Sequence, residues 1–347
     1  MKKQIFAINV LIILILLFFT GCLDEPTVKP KVRILYVDIL GGKEFTNIQK
    51  AINYATDGDT IEVSPGDYFE YLHIDKSIKL KGSKDTIINP RNVSENKNSI
   101  IYISANNCTI QGFSIRNNEF WEDIIGIFIN SSGNKIIGNT ITRFEYGIYL
   151  KDEVRNGKIF TGINISNNEV LNCTYGIYLR ANAEDNMIYN NDIIDNLEGI
   201  NLYYCINNSV VGNYVHSNNE YGIYININSD GNIVTRNICT DNKYGIRFKG
   251  VSNNEIYLNR LERNELGLYS CCGSSFNTIY KNTCINNEKH ASDSFYNSWD
   301  NGKTGNYWDD YIANSPNATK VGNIWSIPYN ISDGNNQDEF PLVNPTI

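Results

Sequence analysis

Tyrosine side chains recur at two fixed places beside a repeated glycine of this 347-residue chain. One tyrosine directly precedes the glycine, and a second follows it two residues later. Aromatic rings pack against sugar rings while nearby Asn and Asp side chains hydrogen-bond hydroxyl groups, so this pattern predicts a glycan-binding strip. The candidate ligand-binding residues are Tyr146, Tyr149, Tyr175, Tyr178, Tyr221, Tyr224 and Tyr244. The pattern also suits a strand surface on which tyrosines stack across neighbouring strands for stability.

Three acidic residues of the same repeats, Asp195, Asp241 and Glu198, are weak candidates for catalysis. Glycoside hydrolysis needs two carboxylates roughly 5 to 10 Å apart. Asp195 and Asp241 occupy equivalent turn positions two repeats apart, which strand spacing converts to about 10 Å. Acidic side chains at turns are usually only solvated, and no catalytic constellation is complete. We therefore expect a binding protein without catalytic activity and keep a polysaccharide lyase or hydrolase as an alternative.

Residues suited to metal binding are few and scattered along the repeats. Copper prefers imidazole, thiolate or thioether ligands. The chain has three histidines, His73, His216 and His290, and a single methionine besides Met1, namely Met187. Because these residues fall at distant places in the repeat, the sequence predicts no preformed metal site and no cofactor.

The seven cysteines that follow Cys22 cannot all pair, because their number is odd. Cys239 and Cys284 fall in one inward-facing column two repeats apart, with Leu261 between them, which is beyond disulfide reach. We expect them to be core residues. The adjacent Cys271 and Cys272 form the one pair that suggests metal or redox chemistry, although no Cys-x-x-Cys spacing supports it.

A repeat positions all of these side chains. Its glycines, Gly147, Gly176, Gly199, Gly222, Gly245 and Gly267, recur about every 22 to 23 residues, with one step of about 29. Each copy is too short for two helices, and its apolar residues alternate with polar ones as in strands. Three apolar columns per copy predict three sheets, and copies stacked about 4.8 Å apart form a parallel β-helix. The corner asparagines expected to form stacked ladders are Asn139, Asn168, Asn191, Asn213, Asn237, Asn259 and Asn282, and Asn196, Asn218, Asn242, Asn264 and Asn287.

The N-terminus has the pattern of a lipoprotein signal. Residues 1–21 combine two lysines with an apolar run of about 15 residues, which is short for a membrane span. We expect residues 1–21 to be a signal peptide, Cys22 to carry lipid, and residues 22–33 to tether the protein to the cell membrane. The alternative is an uncleaved N-terminal anchor. Either arrangement predicts an extracytoplasmic protein, on the cell surface or in the periplasm.

Net charge and chain order complete the expected organisation. The net charge of −8 and the lack of a basic stripe argue against a nucleic-acid partner. Residues 34–90 are expected to form an N-terminal cap and the first coils. Within this cap, the pattern of residues 45–55 predicts a short amphipathic helix that covers the open end of the β-helix. Residues 91–290 carry the repeats, and residues 291–347 form a C-terminal cap.

Both flanks of the repeat resemble a known family, the NosD-like right-handed parallel β-helices of pectin-lyase type, also called carbohydrate-binding and sugar-hydrolase (CASH) domains. The matching segments are residues 48–52, 58–63, 65–68 and 76–82 near the N-terminus and residues 299–302, 305–311, 327–331 and 338–342 near the C-terminus. The resemblance implies, as an alternative function, an accessory role in copper delivery to an extracytoplasmic metalloenzyme. The resemblance does not extend to a calcium-binding loop, because residues 317–326 contain no acidic residue that could bind the ion. A non-catalytic envelope protein for adhesion or a surface layer is a further alternative.

Overall fold

The computed structural model describes residues 32–89, 98–117, 124–152 and 157–346. The expected signal peptide, the lipidation site Cys22 and nearly all of the tether lie outside these residues. In the part of the chain that is described, no helix has the length and apolar character needed to cross a membrane.

Three parallel sheets wind the chain into a β-helix, which confirms the predicted fold class. The strands of sheet A are Ile34–Val37, Thr60–Val63, Lys79–Lys81, Thr109–Gln111, Lys135–Ile137, Asn164–Ser166, Met187–Tyr189, Ser209–Val211, Ile233–Thr235, Glu255–Tyr257 and Thr278–Tyr280. The strands of sheet B are Gly66–Tyr68, Thr86–Ile88, Ser114–Arg116, Thr140–Thr142, Glu169–Leu171, Asp192–Ile194, Tyr214–His216, Ile238–Thr240, Arg260–Glu262, Thr283–Ile285 and Tyr307–Trp308. The strands of sheet C are Leu72–Ile74, Ser99–Ile103, Ile125–Ile129, Tyr146–Lys151, Tyr175–Glu184, Glu198–Ile206, Tyr221–Asn226, Tyr244–Lys249, Leu266–Cys271 and Lys289–Asp293.

The core is made of the predicted apolar columns, one strand above another. In sheet B, Cys239 pairs in register with Leu261, and Leu261 pairs with Cys284. All three side chains are fully buried. Their burial confirms that Cys239 and Cys284 are core residues, and burial raises the pKa of both thiols.

Asparagine ladders fill the corners between the sheets, as predicted. Asn191 Nδ2 and the backbone N–H of Asn191 both donate to Asn213 Oδ1, and Asn213 Nδ2 donates to Asn237 Oδ1 at 2.9 Å. These amides are buried yet fully hydrogen-bonded, so each coil is tied to the next. A further ladder, which the sequence analysis missed, comprises Asn186, Asn208, Asn232, Asn254, Asn277 and Asn297.

The repeated glycine is required by the space available on the inner side of sheet C. A Cβ atom on Gly199 would lie 2.5 Å from the carbonyl oxygen of Gly222 and 3.2 Å from Asn218 Nδ2. A side chain at this position would therefore push two coils apart and disturb an asparagine ladder.

The N-terminal opening is covered by helix α1, Ile48–Tyr54, which is shorter than predicted. Asn47 caps this helix by accepting the N–H of Lys50 at 2.9 Å. Glu70 supplies a second cap, because its carboxylate accepts the N–H groups of Ile48 and Gln49 at 2.8 and 2.9 Å. The N-terminus of a helix favours such negative charge.

Two buried carboxylates organise the C-terminal cap. Asp293 accepts the indole N–H of Trp299, and Asp338 accepts that of Trp308, each at 2.9 Å. Both tryptophans are fully buried and close the end of the core. The regular elements of this cap are helix α2, Tyr311–Asn314, and two hairpins, Lys320–Val321 with Ile324–Trp325 and Tyr329–Asn330 with Gln337–Asp338.

Candidate functional site

The candidate tyrosines lie on the outer face of sheet C in two neighbouring columns, beside a third column that is richer in cations. The first outer column contains Tyr146, Tyr175, Glu198, Tyr221 and Tyr244. The second outer column contains Tyr149, Tyr178, Asn201, Tyr224 and Arg247. The third outer column contains Lys151, Arg180, Tyr203, Asn226 and Lys249.

Tyrosine rings in the second column are covered by their neighbours. Tyr149 and Tyr178 stack with ring centroids 5.5 Å apart, and the ring of Tyr146 lies 4.3 Å from that of Tyr149. Only 4%, 9% and 5% of Tyr149, Tyr178 and Tyr224 is exposed. Burial raises the pKa of Tyr178 and of Tyr224. Rings of neighbouring tyrosines cover Tyr149 and Tyr178, whereas Tyr221 of the same strand and Arg247 lie against Tyr224. The half-buried tyrosines of the first column therefore offer the accessible ring surface.

One coil interrupts both tyrosine columns with polar side chains. Glu198 and Asn201 stand where other coils have tyrosine, and Asn201 Nδ2 donates to Glu198 Oε2 at 2.5 Å. Arg247 reaches this region from two coils further on. Its guanidinium lies 5.0 and 5.1 Å from the ring centroids of Tyr221 and Tyr224. We name this cluster the polar notch and define it as Glu198, Asn201, Asn226 and Arg247.

The polar notch has hydrogen-bonding atoms that the described residues do not use. Asn201 Oδ1, Asn226 Oδ1 and Arg247 Nε are buried and have no hydrogen-bond partner in that part of the chain. Burial also raises the pKa of Glu198, and the hydrogen bond from Asn201 and the charge of Arg247 offset only part of this effect. Buried polar groups are normally paired. Two acceptors and one cationic donor of the notch are therefore left without a hydrogen-bond partner among the described residues.

Two of the three candidate catalytic acids lie away from the polar notch. Asp195 and Asp241 are exposed in the turns that lead from sheet B to sheet C. Asp241 is paired with Arg263 at 2.8 Å, and this hydrogen-bonded partner lowers the pKa of Asp241. Glu198 is the only one of the three on the outer face of sheet C. Within the described contacts, the three carboxylates do not meet as a facing pair.

A second cluster, which the sequence analysis missed, lies at the C-terminal cap. His290 Nε2 is 2.7 Å from Asp309 Oδ1 and 3.4 Å from Asp310 Oδ1, beside a cavity of about 710 Å³. Asp309 and Asp310 belong to the recognised segment 305–311, but no spacing rule connects them to a histidine some 20 residues earlier in the chain. The grouping is one that could hold a metal ion.

The hydrogen bonds of His290 argue against a metal at this cluster. Asn287 is oriented by its ladder because its Oδ1 accepts from Asn264, so its Nδ2 faces His290 Nδ1 at 3.2 Å. Nδ1 must then be the acceptor, and Nε2 carries the proton that it donates to Asp309. A metal ligand needs the free lone pair of that nitrogen.

Copper, which the family resemblance implies, also fits poorly elsewhere in the described residues. His73 Nε2 is hydrogen-bonded to Ser104 Oγ at 2.8 Å, and His216 Nε2 lies 3.0 Å from a carboxylate oxygen of Asp192. Neither histidine belongs to a cluster of three metal-ligand side chains in that part of the structure. The donor set therefore does not match the imidazole and sulfur ligands that copper prefers.

The vicinal cysteines lie at the end of the third outer column. Cys271 and Cys272 have sulfur atoms 2.8 Å apart, with Cys271 buried and Cys272 exposed. Arg247 Nη2 lies 3.5 Å from Cys271 Sγ, which connects this pair to the polar notch.

Sequence comparison matches most of the chain to one family model. The model, described as periplasmic copper-binding protein (NosD), matches residues 36–198 and 160–313. A curated relative, a cell surface glycoprotein of Methanothermus fervidus, is 40% identical over 109 residues, which are 30% of this chain and 18% of the relative. The chain thus spans less than a fifth of that relative.

Structure comparison finds β-helices at low sequence identity. The complex of XylC with xylose has a TM-score of 0.62 at 14% identity and covers 76% of this chain and 69% of its own. The Dettilon tailspike protein has a TM-score of 0.61 at 16% identity, with 76% and 59% covered. The A-module of the Azotobacter vinelandii mannuronan C-5 epimerase has a TM-score of 0.59 at 13% identity, with 77% and 78% covered. These likenesses show the fold.

Proposed function

This chain belongs to the NosD family, and from that premise we propose that it is an extracytoplasmic β-helix protein that binds a glycan on the outer face of sheet C. The ligand is a polysaccharide or another carbohydrate polymer of the cell envelope. Attachment to the membrane through a lipid on Cys22 is part of the same proposal, since residues 1–22 carry the pattern of a lipoprotein signal.

The observation that carries the proposal is the polar notch within the tyrosine columns. Asn201 Oδ1, Asn226 Oδ1 and Arg247 Nε are buried without partners among the described residues, and half-buried tyrosines flank them. Sugars present hydroxyl groups at their edges and apolar C–H groups on their faces. Unused hydrogen-bonding atoms between aromatic rings match both parts of such a ligand.

The fold supports a polymer rather than a single small molecule. Successive coils repeat the same surface at intervals of about 4.8 Å, so an extended chain along the axis meets equivalent positions one after another. Two of the similar folds carry carbohydrate names, the XylC complex with xylose and the mannuronan epimerase, and the curated relative is a cell surface glycoprotein. These names support a carbohydrate ligand.

A panel of soluble and insoluble polysaccharides tests the proposal. We expect residues 23–347 to co-sediment with at least one glycan. Asn201→Ala and Tyr221→Ala should each weaken that binding about fivefold, because each removes hydrogen bonds or ring contacts worth on the order of 1 kcal/mol.

Tyr257→Ala is the matched control for Tyr221→Ala. The rings of Tyr257 and Tyr280 stack with their centroids 5.1 Å apart on the outer face of sheet A. The substitution therefore removes a comparable ring from a different surface. Equal losses in the two variants, or no binding to any glycan, would remove the support for a site on sheet C.

One observation favours a second function, glycan cleavage. Burial raises the pKa of Glu198, as a general acid requires. Assaying released oligosaccharides in the same incubations distinguishes cleavage from binding, and Glu198→Gln should abolish any release. Copper delivery, the alternative that the family name suggests, finds no matching ligand set in the described residues.

A further inference from the structure

Three cations on the outer face of sheet C have no acidic partner among the described residues. Lys151, Arg180 and Lys249 of the third outer column form no ion pair within the described residues. On nearby coils, by contrast, Lys243 is paired with Glu220, and Arg263 is paired with Asp241. In a protein of net charge −8, this column is a local concentration of positive charge.

Two of these cations line a cavity of about 380 Å³ on the same face. The register between two neighbouring strands shifts between Arg180 and Ala183, next to this cavity. The cavity is lined by Lys151, Asp152, Gly157, Arg180, Asn182, Tyr203 and Tyr204.

One of the two tyrosines that line the cavity has an exposed ring. Tyr204 has a φ of 57°, an unusual conformation for a bulky residue, and it is 43% exposed. Its ring meets that of Tyr203 edge to face, with centroids 4.6 Å apart. The ring of Tyr204 is thus held in an exposed position beside the cations.

The cations contact aromatic rings instead of carboxylates. The guanidinium of Arg180 lies 5.5 Å from the ring centroid of Tyr203, and Lys151 Nζ lies 5.9 Å from that of Tyr149. Asp152 is the one acid among the described residues that line the cavity; it is buried, and its Oδ2 accepts the N–H of Gly157 at 3.1 Å. Besides its ring contact, the Arg180 guanidinium is hydrogen-bonded to the side chain of Tyr149. A guanidinium has five N–H donors, so these contacts hold it in place and leave donors for an anion.

We propose that this cavity binds the carboxylate of an acidic sugar, so that the glycan recognised by sheet C is one that contains uronic acid units. The inference rests on the proposed function, because it assigns the chemical class of that same ligand. The planar fork of Arg180 matches a planar carboxylate, Lys151 adds a second charge, and Tyr204 packs against the sugar ring.

Binding of the full-length protein to two forms of one polymer tests this assignment. Polygalacturonate and its fully methyl-esterified form share a backbone and differ in the charged carboxylate. We expect at least tenfold tighter binding to the acid form, since hydrogen bonds between charged groups are stronger than those between neutral groups. Arg180→Gln should remove this preference, because it weakens binding to the acid form far more than binding to the ester.

Arg236→Gln is the control, because it removes the same charge from an exposed turn between sheets A and B. Lys151→Gln provides a second variant of the cavity, and circular dichroism verifies that each variant is folded. Equal binding of acid and ester forms would overturn the uronate assignment and leave glycan binding intact. Equal losses in Arg180→Gln and Arg236→Gln would overturn this cavity as the site. Failure to bind any glycan of the wider panel would overturn both proposals.

Discussion

Asp338 is a buried carboxylate surrounded by N–H donors at the centre of the C-terminal cap. It accepts the backbone N–H of Asn306 at 2.7 Å and that of Phe340 at 3.0 Å, besides the indole of Trp308. Burial raises the pKa of Asp338 from 3.8 to about 7, and these hydrogen bonds offset only part of the shift.

The raised pKa of Asp338 predicts that the protein becomes less stable as the pH rises. The folded state holds the proton more tightly than the unfolded state, so the stabilisation is complete below pH 3.8 and is lost as the pH rises through about 7. The loss amounts to about 4 kcal/mol over this range. Thermal unfolding between pH 4 and pH 8 measures it. Asp338→Asn cannot titrate and should lack this slope; identical pH profiles would contradict the assignment.

Thiol accessibility is a second residue-scale property that can be measured directly. Burial raises the pKa of Cys108 to about 11 and that of Cys173 and Cys205 to about 12, whereas Cys272 is exposed. Because the thiolate is the reactive form, we expect Cys272 to react with a thiol reagent at pH 8 far faster than these three core cysteines. Cys272→Ser should remove the fast phase, and rapid labelling of the core cysteines in the folded protein would disagree with the structure.

At the scale of elements, an asparagine ladder should be worth more to stability than any one of its hydrogen bonds. Asn213→Ala removes the amide oxygen that accepts from Asn191 Nδ2. It also removes the amide nitrogen that donates to the carbonyl oxygen of Ile188 at 3.0 Å and to Asn237 Oδ1. Each orphaned buried group costs about 1 to 3 kcal/mol, so we expect a loss of about 3 kcal/mol or more. Urea unfolding measures this loss of stability, and Asn219→Ala, which changes an asparagine in an exposed turn, is the control. Equal stabilities would show that the ladder is dispensable.

The strands and turns were largely predictable from the sequence because every repeat contains the same pattern of apolar residues, asparagines and glycine. The inner column Cys239, Leu261 and Cys284 follows from counting residues between glycines, and the structure pairs these residues in register. The polar notch was not predictable in the same way. It places Glu198 and Asn201 within the electrostatic influence of Arg247 two coils later, and side-chain lengths and directions decide such an approach.

Burial also explains why the sequence pattern did not indicate which of the seven candidate tyrosines are exposed. Alternation places Tyr149 and Tyr178 outside the core, yet stacking between coils covers their faces almost as completely as the core would. Sequence spacing gives the face on which a side chain lies, but exposure depends on how closely the neighbouring rings approach one another. The binding role of the seven tyrosines stays a prediction, carried mainly by those of the first outer column.

At the scale of the whole molecule, a solenoid of this kind depends on its ends. The last coil exposes strand edges unless Trp299, Trp308 and the hairpins cover them, and unpaired edges recruit other chains. A chain that stops after Asp293 should therefore aggregate and melt at a lower temperature, although every repeat that carries the outer face of sheet C is retained. Light scattering after size exclusion measures this, with a chain that begins at Ile34 instead of Leu23 as the control for shortening. A truncated chain that stayed monomeric with an unchanged melting temperature would show that the stacked coils are stable without the cap, and the buried carboxylates of Asp293 and Asp338 would then need an explanation other than stability.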